Sequence, residues 1–238
     1  MSTLSLRKIK HDSSAVDNIT LDSSGNVGVN KTTPRATTGF NSVSLNGTDG
    51  SEIWFDANNV AATRLSGTAN ETRITAQASG SVITMFTGAT ERVRVDNSGC
   101  VTMPYQPCFM ATSTDTANTI TSTKLNFNTI GQANAVGYNT TNQRFTAPVS
   151  GKYLFMCNIW FYNTGYSNQV VLRVNNNELN WSGDTHIMCN GSNSVDCMTG
   201  GSTILQLSAG DYVELFARNG YTVRWYGRHS SWAGHLVG

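Results

Sequence analysis

The stretch from Gln143 to Tyr162 constrains this fold most. Gln143 to Gly151 carry a turn, a short apolar edge around Phe145 and a break at Pro148 and Gly151. Residues 151–162 then alternate, with Tyr153 and Phe155 two apart. A period of two is the mark of a half-buried strand, and a Pro/Gly break before it is how one strand hands over to the next in a β-sandwich. No helical period emerges elsewhere, so an all-β fold is expected. Only 13% of the 238 residues are charged, about half the ~25% of ordinary domains. Ser, Thr, Asn and Gly are plentiful instead, which suits a turn-rich structural protein wetted by hydroxyls and amides. The length allows one large or two modest domains with a real core.

The charge balance narrows the function. A formal net charge of +1 with no long basic run gives no electrostatic case for nucleic acid. No apolar run approaches the ~20 residues that span a bilayer, and Met1 to Lys10 lacks the apolar centre of a signal peptide. The protein is expected to work without its own secretion signal or membrane insertion. Five cysteines, Cys100, Cys108, Cys157, Cys189 and Cys197, have no zinc-site spacing and read as buried free thiols of a reducing cytosol. Cys189 and Cys197 flank one segment and could pair under oxidation. His11, His186, His229 and His235 sit in no metal or nucleophile-elbow pattern, and Asp184 with His186 lacks a third group. Glu52, Asp56, Asp22 and Asp96 are the candidates for glycosidase carboxylates; Asp22 and Asp96 fit better as turn residues that bond their own backbone. No catalytic constellation, metal site or cofactor is expected.

Three zones follow along the chain. Residues 1–17 form a polar arm with Leu4, Leu6 and Ile9 in weak alternation beside Arg7 and Lys8. It reads as a free tail or as an attachment anchor, with Leu4, Leu6, Arg7, Lys8 and Ile9 the candidate contacts. Residues 18–107 contain an internal repeat: Ile19 to Val29 aligns with Val93 to Met103, each a strand, an Asp-to-Gly turn and a second strand. Between them, strands are expected at Glu52 to Phe55, Ala61 to Leu65, Thr72 to Ala76, Val82 to Phe86 and Arg92 to Val95. Such thin strands bury little per chain, which intertwining of several chains would remedy. Residues 108–238 read as a head, with strands expected at Phe109 to Thr112, Lys124 to Phe127, Gly151 to Tyr162, Gln169 to Val174, Glu178 to Trp181, Ser202 to Leu207, Asp211 to Ala217, Val223 to Tyr226 and Trp232 to Val237. That number of short strands suits a two-sheet jelly roll.

The head resembles the complement-q and tumour-necrosis-factor superfamily. Tyr138, Phe145, Gly151, Tyr153 and Phe155 match its signature, and Leu205 to Leu215 resembles its Leu-x-Leu-x-x-Gly-Asp-x-Val-x-Leu run. Two positions depart from the signature, Cys157 where an aromatic is expected and Ala133 where Asn or Asp is, with Asn134 one residue out of step. The resemblance implies a homotrimeric jelly roll, with Tyr153, Phe155 and Trp232 either at the trimer core or in the core of one chain.

The second zone resembles fibre and tailspike proteins of bacteriophages, above all those of marine and cyanobacterial phages. Asp22 to Val29 near Pro34, and Thr87 to Asp96, carry that likeness. It implies a trimeric virion fibre, assembled in the host cytoplasm and exposed on the particle, with an arm that binds tail, adaptor or capsid proteins, a β-rich shaft and an outward knob. The knob is expected to bind a host surface receptor, glycan or protein. Candidate contacts are Tyr162, Tyr166, Trp181, Tyr221, Trp225, Tyr226 and Arg228, which combine stacking with hydrogen bonding or simply close the sandwich ends. The alternative is a capsid decoration or head-fibre protein that stabilises the shell; a cellular adhesin ranks third and an enzyme last.

Overall fold

In the computed structural model, which describes residues 8–9, 19–23, 26–29, 43–45, 49–57, 60–76, 78–131, 135–162, 168–178, 189–190, 195–218 and 220–238, the chain is all-β. A 3₁₀ turn at Gly227–His229 is the one helical element among them. The chain divides into two compact units, Met1–Thr102 and Met103–Gly238. The segment just before residue 108 is tied to the last strand of the second unit. Gln106 Nε2 donates to the Leu236 carbonyl at 3.0 Å, and the Leu236 N–H donates to the Pro107 carbonyl at 2.9 Å.

In the first unit, β1 (Lys8–Ile9), β2 (Ile19–Leu21), β3 (Val27–Val29) and β4 (Val43–Leu45) lie side by side in that order. β5 (Ser51–Ala57), β6 (Val60–Gly67) and β7 (Thr72–Ala76) form a meander, and β8 (Ile83–Thr87), β9 (Thr90–Val95) and β10 (Val101–Thr102) form another. Both repeat copies are antiparallel hairpins, β2 with β3 and β9 with β10. Each turn is held by its aspartate. Asp22 Oδ1 accepts the Asn26 N–H at 2.8 Å, while Asp96 Oδ1 accepts those of Ser98 and Cys100 at 2.8 and 2.9 Å. Gly99 sits at φ +84°, where a side chain would be strained.

The second unit contains β11 (Cys108–Thr112), β12 (Ala117–Thr121), β13 (Thr129–Ile130), β14 (Tyr138–Asn139), β15 (Arg144–Thr146), β16 (Gly151–Phe161), β17 (Gln169–Val174), β18 (Asn177–Glu178), β19 (Cys189–Asn190), β20 (Cys197–Leu207), β21 (Tyr212–Ala217), β22 (Thr222–Tyr226) and β23 (Ser231–Leu236). They form the two sheets of a jelly roll. One runs β12-β22-β16-β23-β11-β13 with β20 on β16; the other runs β14-β15-β21-β17-β18 with β19 on β17. The expected strand at 124–127 is instead irregular. Lys124 makes a single bridge to Phe216 and the Leu125 N–H donates to the Leu215 carbonyl at 3.0 Å, while Leu125 and Phe127 plug the core.

The alternation of β16 decides what is inside. Tyr153, Phe155, Cys157, Ile159 and Phe161 are buried, whereas Lys152, Met156 and Asn158 face out. Phe109 stacks on Tyr138 at 4.6 Å and on Phe145 at 5.2 Å and meets Trp232 edge-on at 4.9 Å. Such pairs add about 0.5–1.5 kcal/mol beyond their buried area. The Tyr138 hydroxyl donates to the Phe127 carbonyl at 2.7 Å, so its polar end is satisfied inside the core. Gly234 stands between Phe109 and Phe155 in register, and a Cβ there would lie 2.8 Å from both rings.

Two places were open to Tyr153, Phe155 and Trp232. They are 0%, 0% and 1% exposed within a single chain and pack in its own core. The cysteines are not uniformly buried: Cys157 is, but Cys100 is exposed.

Candidate binding surface of the head

At the far end of β16 the outward parity brings up Trp160 and then Tyr162; on β22 it brings up Arg224 and Tyr226. The 3₁₀ turn adds His229 between them. Trp160 and His229 lie 5.3 Å apart between ring centres, His229 stacks on Tyr226 at 4.5 Å, and Tyr226 meets Tyr162 at 5.5 Å. The Arg224 guanidinium lies 5.1 Å from the Tyr162 ring. The result is a stripe of four rings ending in a cation, half-buried throughout except for the exposed His229.

Buried polar residues fix the backbone beneath it. The Trp160 N–H donates to Ser230 Oγ at 3.0 Å, and the Ser230 hydroxyl donates to the Tyr226 carbonyl at 2.8 Å. Asn168 Oδ1 accepts the Arg224 N–H at 2.9 Å, and the Tyr162 N–H donates to the Arg224 carbonyl at 3.1 Å. Ser230 and Asn168 are both buried. Rings held from below lose little freedom on binding, which favours a stacking ligand. Desolvation raises the Tyr162 phenol above its ordinary value, with Tyr226 and Asp196 adding to the shift and Arg224 opposing it, so the hydroxyl stays a donor at neutral pH.

Two of the expected contact residues, Tyr162 and Tyr226, fall on this stripe. Arg228 is exposed beside it, its Nε donating to the Thr114 carbonyl at 3.1 Å. Tyr221 lies at the β21–β22 turn under the Arg218 guanidinium, at 5.2 Å, away from the stripe residues at the other end of β22. Trp225 is a correction: it is 0% exposed and packs on Phe127 at 5.2 Å, because the inward parity of β22 belongs to Val223 and Trp225. Tyr166 and Trp181 lie outside the described residues, as do Leu4, Leu6 and Arg7 of the arm and the pair Asp184 and His186. Lys8 and Ile9 form β1, with Ile9 exposed. Trp160, Arg224 and His229 are not among the contacts expected above, although Arg224 lies in the same aromatic segment as Tyr226. Parity was the available signal, since Trp160 shares that of Lys152 and Asn158.

The C1q domain family matches residues 108–237, more than half of the chain and all of the jelly roll. The chain belongs to the C1q domain family. No curated protein matches it. Among solved structures, the C1q head is similar to the globular domain of zebrafish complement 1qA protein, 19% identical over 56% of this chain and 98% of that one, with a TM-score of 0.43. It is also similar to murine APRIL (9% identity, 56% and 99% covered, TM-score 0.42) and to Eiger TNF from S. frugiperda (12%, 56% and 94%, 0.40).

A second surface of the C1q head differs in chemistry. The outer face of its larger sheet carries Met110, Ala233 and Met156 in one cross-strand row and His235, Leu154 and Ile204 in the next. Met156 and Ile204 are exposed, while Met198, also exposed, stands opposite Trp160 beside the stripe. Charged groups are few here, unlike the stripe with its hydroxyls, imidazole and guanidinium. Among the described residues no group of three or more His, Cys, Asp or Glu side chains is placed to hold a metal ion, and no helix is long and apolar enough to cross a membrane.

Proposed function

We propose that the chain is a homotrimeric structural protein of a bacteriophage particle, a fibre or appendage whose C1q head binds a receptor on the host cell surface. The aromatic stripe of Trp160, His229, Tyr226 and Tyr162 carries this reading. Rings flanked by hydroxyls and a guanidinium stack on the apolar face of a sugar while bonding its hydroxyls, and they serve a polar protein patch equally. C1q domains are often trimeric and receptor-binding, which supports both the assembly and the task. The face of Met110, Met156 and Ile204 suits contact between copies of the head, since it is apolar and offers few polar groups to a wet ligand. Three weak sites on one trimer then act together, so that avidity exceeds the affinity of each. The virion setting is supported by the fibre-like segments Asp22 to Val29 and Thr87 to Asp96, and places the protein on the particle surface with its arm against tail, adaptor or capsid proteins.

The test is competition for adsorption. Purified head, residues 103–238, is expected to bind host cells saturably and to block particle adsorption. A stable trimer that leaves adsorption untouched, combined with particles that lose heat resistance when the protein is deleted, would replace this reading with capsid decoration.

A further inference from the structure

The stripe of the head lies one strand from the edge of its sheet. The larger sheet ends at β12, which pairs with β22. In register, Ala117 of β12 stands opposite Tyr226 and Thr119 opposite Arg224, so these four side chains share one face. Ala117 and Thr119 are small and exposed, which leaves the β12 side of Tyr226 and Arg224 open, while the rings of Tyr162 and His229 back Tyr226. The cations on this ledge have no carboxylate of their own. The Arg224 guanidinium lies over the Tyr162 ring at 5.1 Å and makes no ion pair among the described residues. Arg228, two residues beyond Tyr226, spends Nε on the Thr114 carbonyl at 3.1 Å and has both terminal nitrogens unbonded among the described residues. The nearby acids are engaged or turned away: the Asp115 carboxylate accepts from Asn118 at 3.1 Å and from Asn126 at 3.3 and 3.1 Å, and Asp196 lies beyond Tyr162 where β20 begins, on the side away from β12.

We propose that the ligand of the stripe is an anionic sugar: its ring lies against Tyr226 and Tyr162 above Ala117, and a carboxylate or phosphate that it carries is held by the Arg224 guanidinium, with Arg228 adding charge from the far side of Tyr226. This names the receptor class and rests on the receptor-binding reading of the stripe. A guanidinium binds a planar carboxylate or a phosphate through two parallel N–H bonds, which a sugar hydroxyl cannot match. The cation is already in position, since the Tyr162 ring lies beneath it and the buried Asn168 Oδ1 accepts the Arg224 N–H at 2.9 Å, so little freedom is lost when an anion arrives. The neighbouring groups agree with an acceptor-rich ligand, because the Trp160 indole offers a donor only. The rings supply the contact with the apolar face of the sugar. Two guanidiniums suit one anionic group at a time. A polyanion such as nucleic acid is tracked by a longer row of cations, which the stripe does not have.

The test uses the full chain and, as probe, protease-treated polysaccharide from the host envelope in three forms: native, carboxyl-reduced and dephosphorylated. The expected result is that removing one of the two anionic groups weakens binding at least ~10-fold. Arg224→Gln and Arg228→Gln are each expected to weaken binding to the native form and to lose most of the discrimination between it and the treated one. Lys152→Gln removes the same charge at the opposite end of β16 and is expected to leave binding unchanged. Arg228 is exposed, so Arg228→Gln keeps the test decisive should Arg224→Gln alter folding. Equal binding to all three forms overturns the anionic sugar; if Trp160→Ala still abolishes that binding, the stripe remains the receptor site. Binding to host cells that survives removal of their polysaccharide but not protease overturns it in favour of a protein receptor. Binding to neither polysaccharide nor cells overturns the receptor-binding reading as well.

Discussion

Replacing Gly234 with alanine puts a methyl group where the core has no room for one. The new Cβ would lie 2.8 Å from Phe109 Cε1, 2.8 Å from Phe155 Cδ1 and 2.9 Å from Phe155 Cε1. Carbon pairs settle at about 3.5–4.0 Å, so both rings must move by roughly 0.7 Å or more. Neither ring is at liberty to do so. Phe109 is clamped by Tyr138, Phe145 and Trp232, and Phe155 lies 5.5 Å from Phe145 and 6.4 Å from Trp232. Overpacking of this kind costs about 1–3 kcal/mol, which for a domain of this size lowers the melting temperature by about 3–10 °C. The assay is thermal and urea unfolding of the head at fixed protein concentration, because assembly makes stability concentration-dependent. Phe155→Leu removes ring atoms from the clash, so the double variant Gly234→Ala/Phe155→Leu is expected to lose at least ~0.5 kcal/mol less than the two single losses added together. A Gly234→Ala head within about 0.3 kcal/mol of wild type, or strict additivity with Phe155→Leu, would refute the packing argument.

Three further outcomes follow from the same core and its rim. Tyr138→Phe leaves the buried Phe127 carbonyl without its 2.7 Å donor and is expected to cost about 1–3 kcal/mol in urea unfolding. Glu214 is buried, accepts from Arg144 Nε and Nη2 at 3.2 and 3.0 Å and has Lys124 Nζ at 3.6 Å, so Glu214→Ala is expected to destabilise by about 1–3 kcal/mol, and Glu214→Gln by less. Asp211 accepts from the Asn175 side chain and the Ser208 N–H, each at 2.8 Å, which lowers its pKa below the ordinary 3.8. Its contribution to stability is therefore present well above pH 3.8 and is lost as the pH falls through the lower folded-state value; Asp211→Asn should melt below wild type at neutral pH, and the gap should close on acidification below 3.8.

The head was legible because its strands announce themselves by parity. Tyr153 and Phe155, and likewise Val213 and Leu215, alternate against polar or outward neighbours, and β16, β17, β21, β22 and β23 all fall within two residues of where alternation put them. β12 was missed because Ala117 to Thr121 is an edge strand with Ile120 as its one large apolar residue, and polar edge strands lack the pattern that reveals them. Residues 124–127 misled in the opposite sense: Leu125 and Phe127 alternate like a strand, yet they fill the core from an irregular segment. The stripe was half visible. Tyr162, Tyr226 and Arg228 stand out as aromatic or cationic loop residues, but so does Trp225, whose burial follows from its parity with Val223. A sequence shows that an aromatic alternates; which parity is inward depends on the second sheet, and that is a tertiary fact. For the same reason Tyr153, Phe155 and Trp232 were open to either core.

The most direct measurement is receptor binding by heads that differ only at the stripe. Wild-type head, Trp160→Ala and Tyr226→Ala, each checked for an unchanged melting temperature and mass, are titrated onto host cells and onto a glycan array. The account predicts that each substitution weakens binding at least ~10-fold, the loss expected of a contact worth more than ~1.4 kcal/mol, and that trimeric avidity enlarges the loss on cells. Folded variants that bind as tightly as wild type would contradict it, and would move the binding site off the stripe.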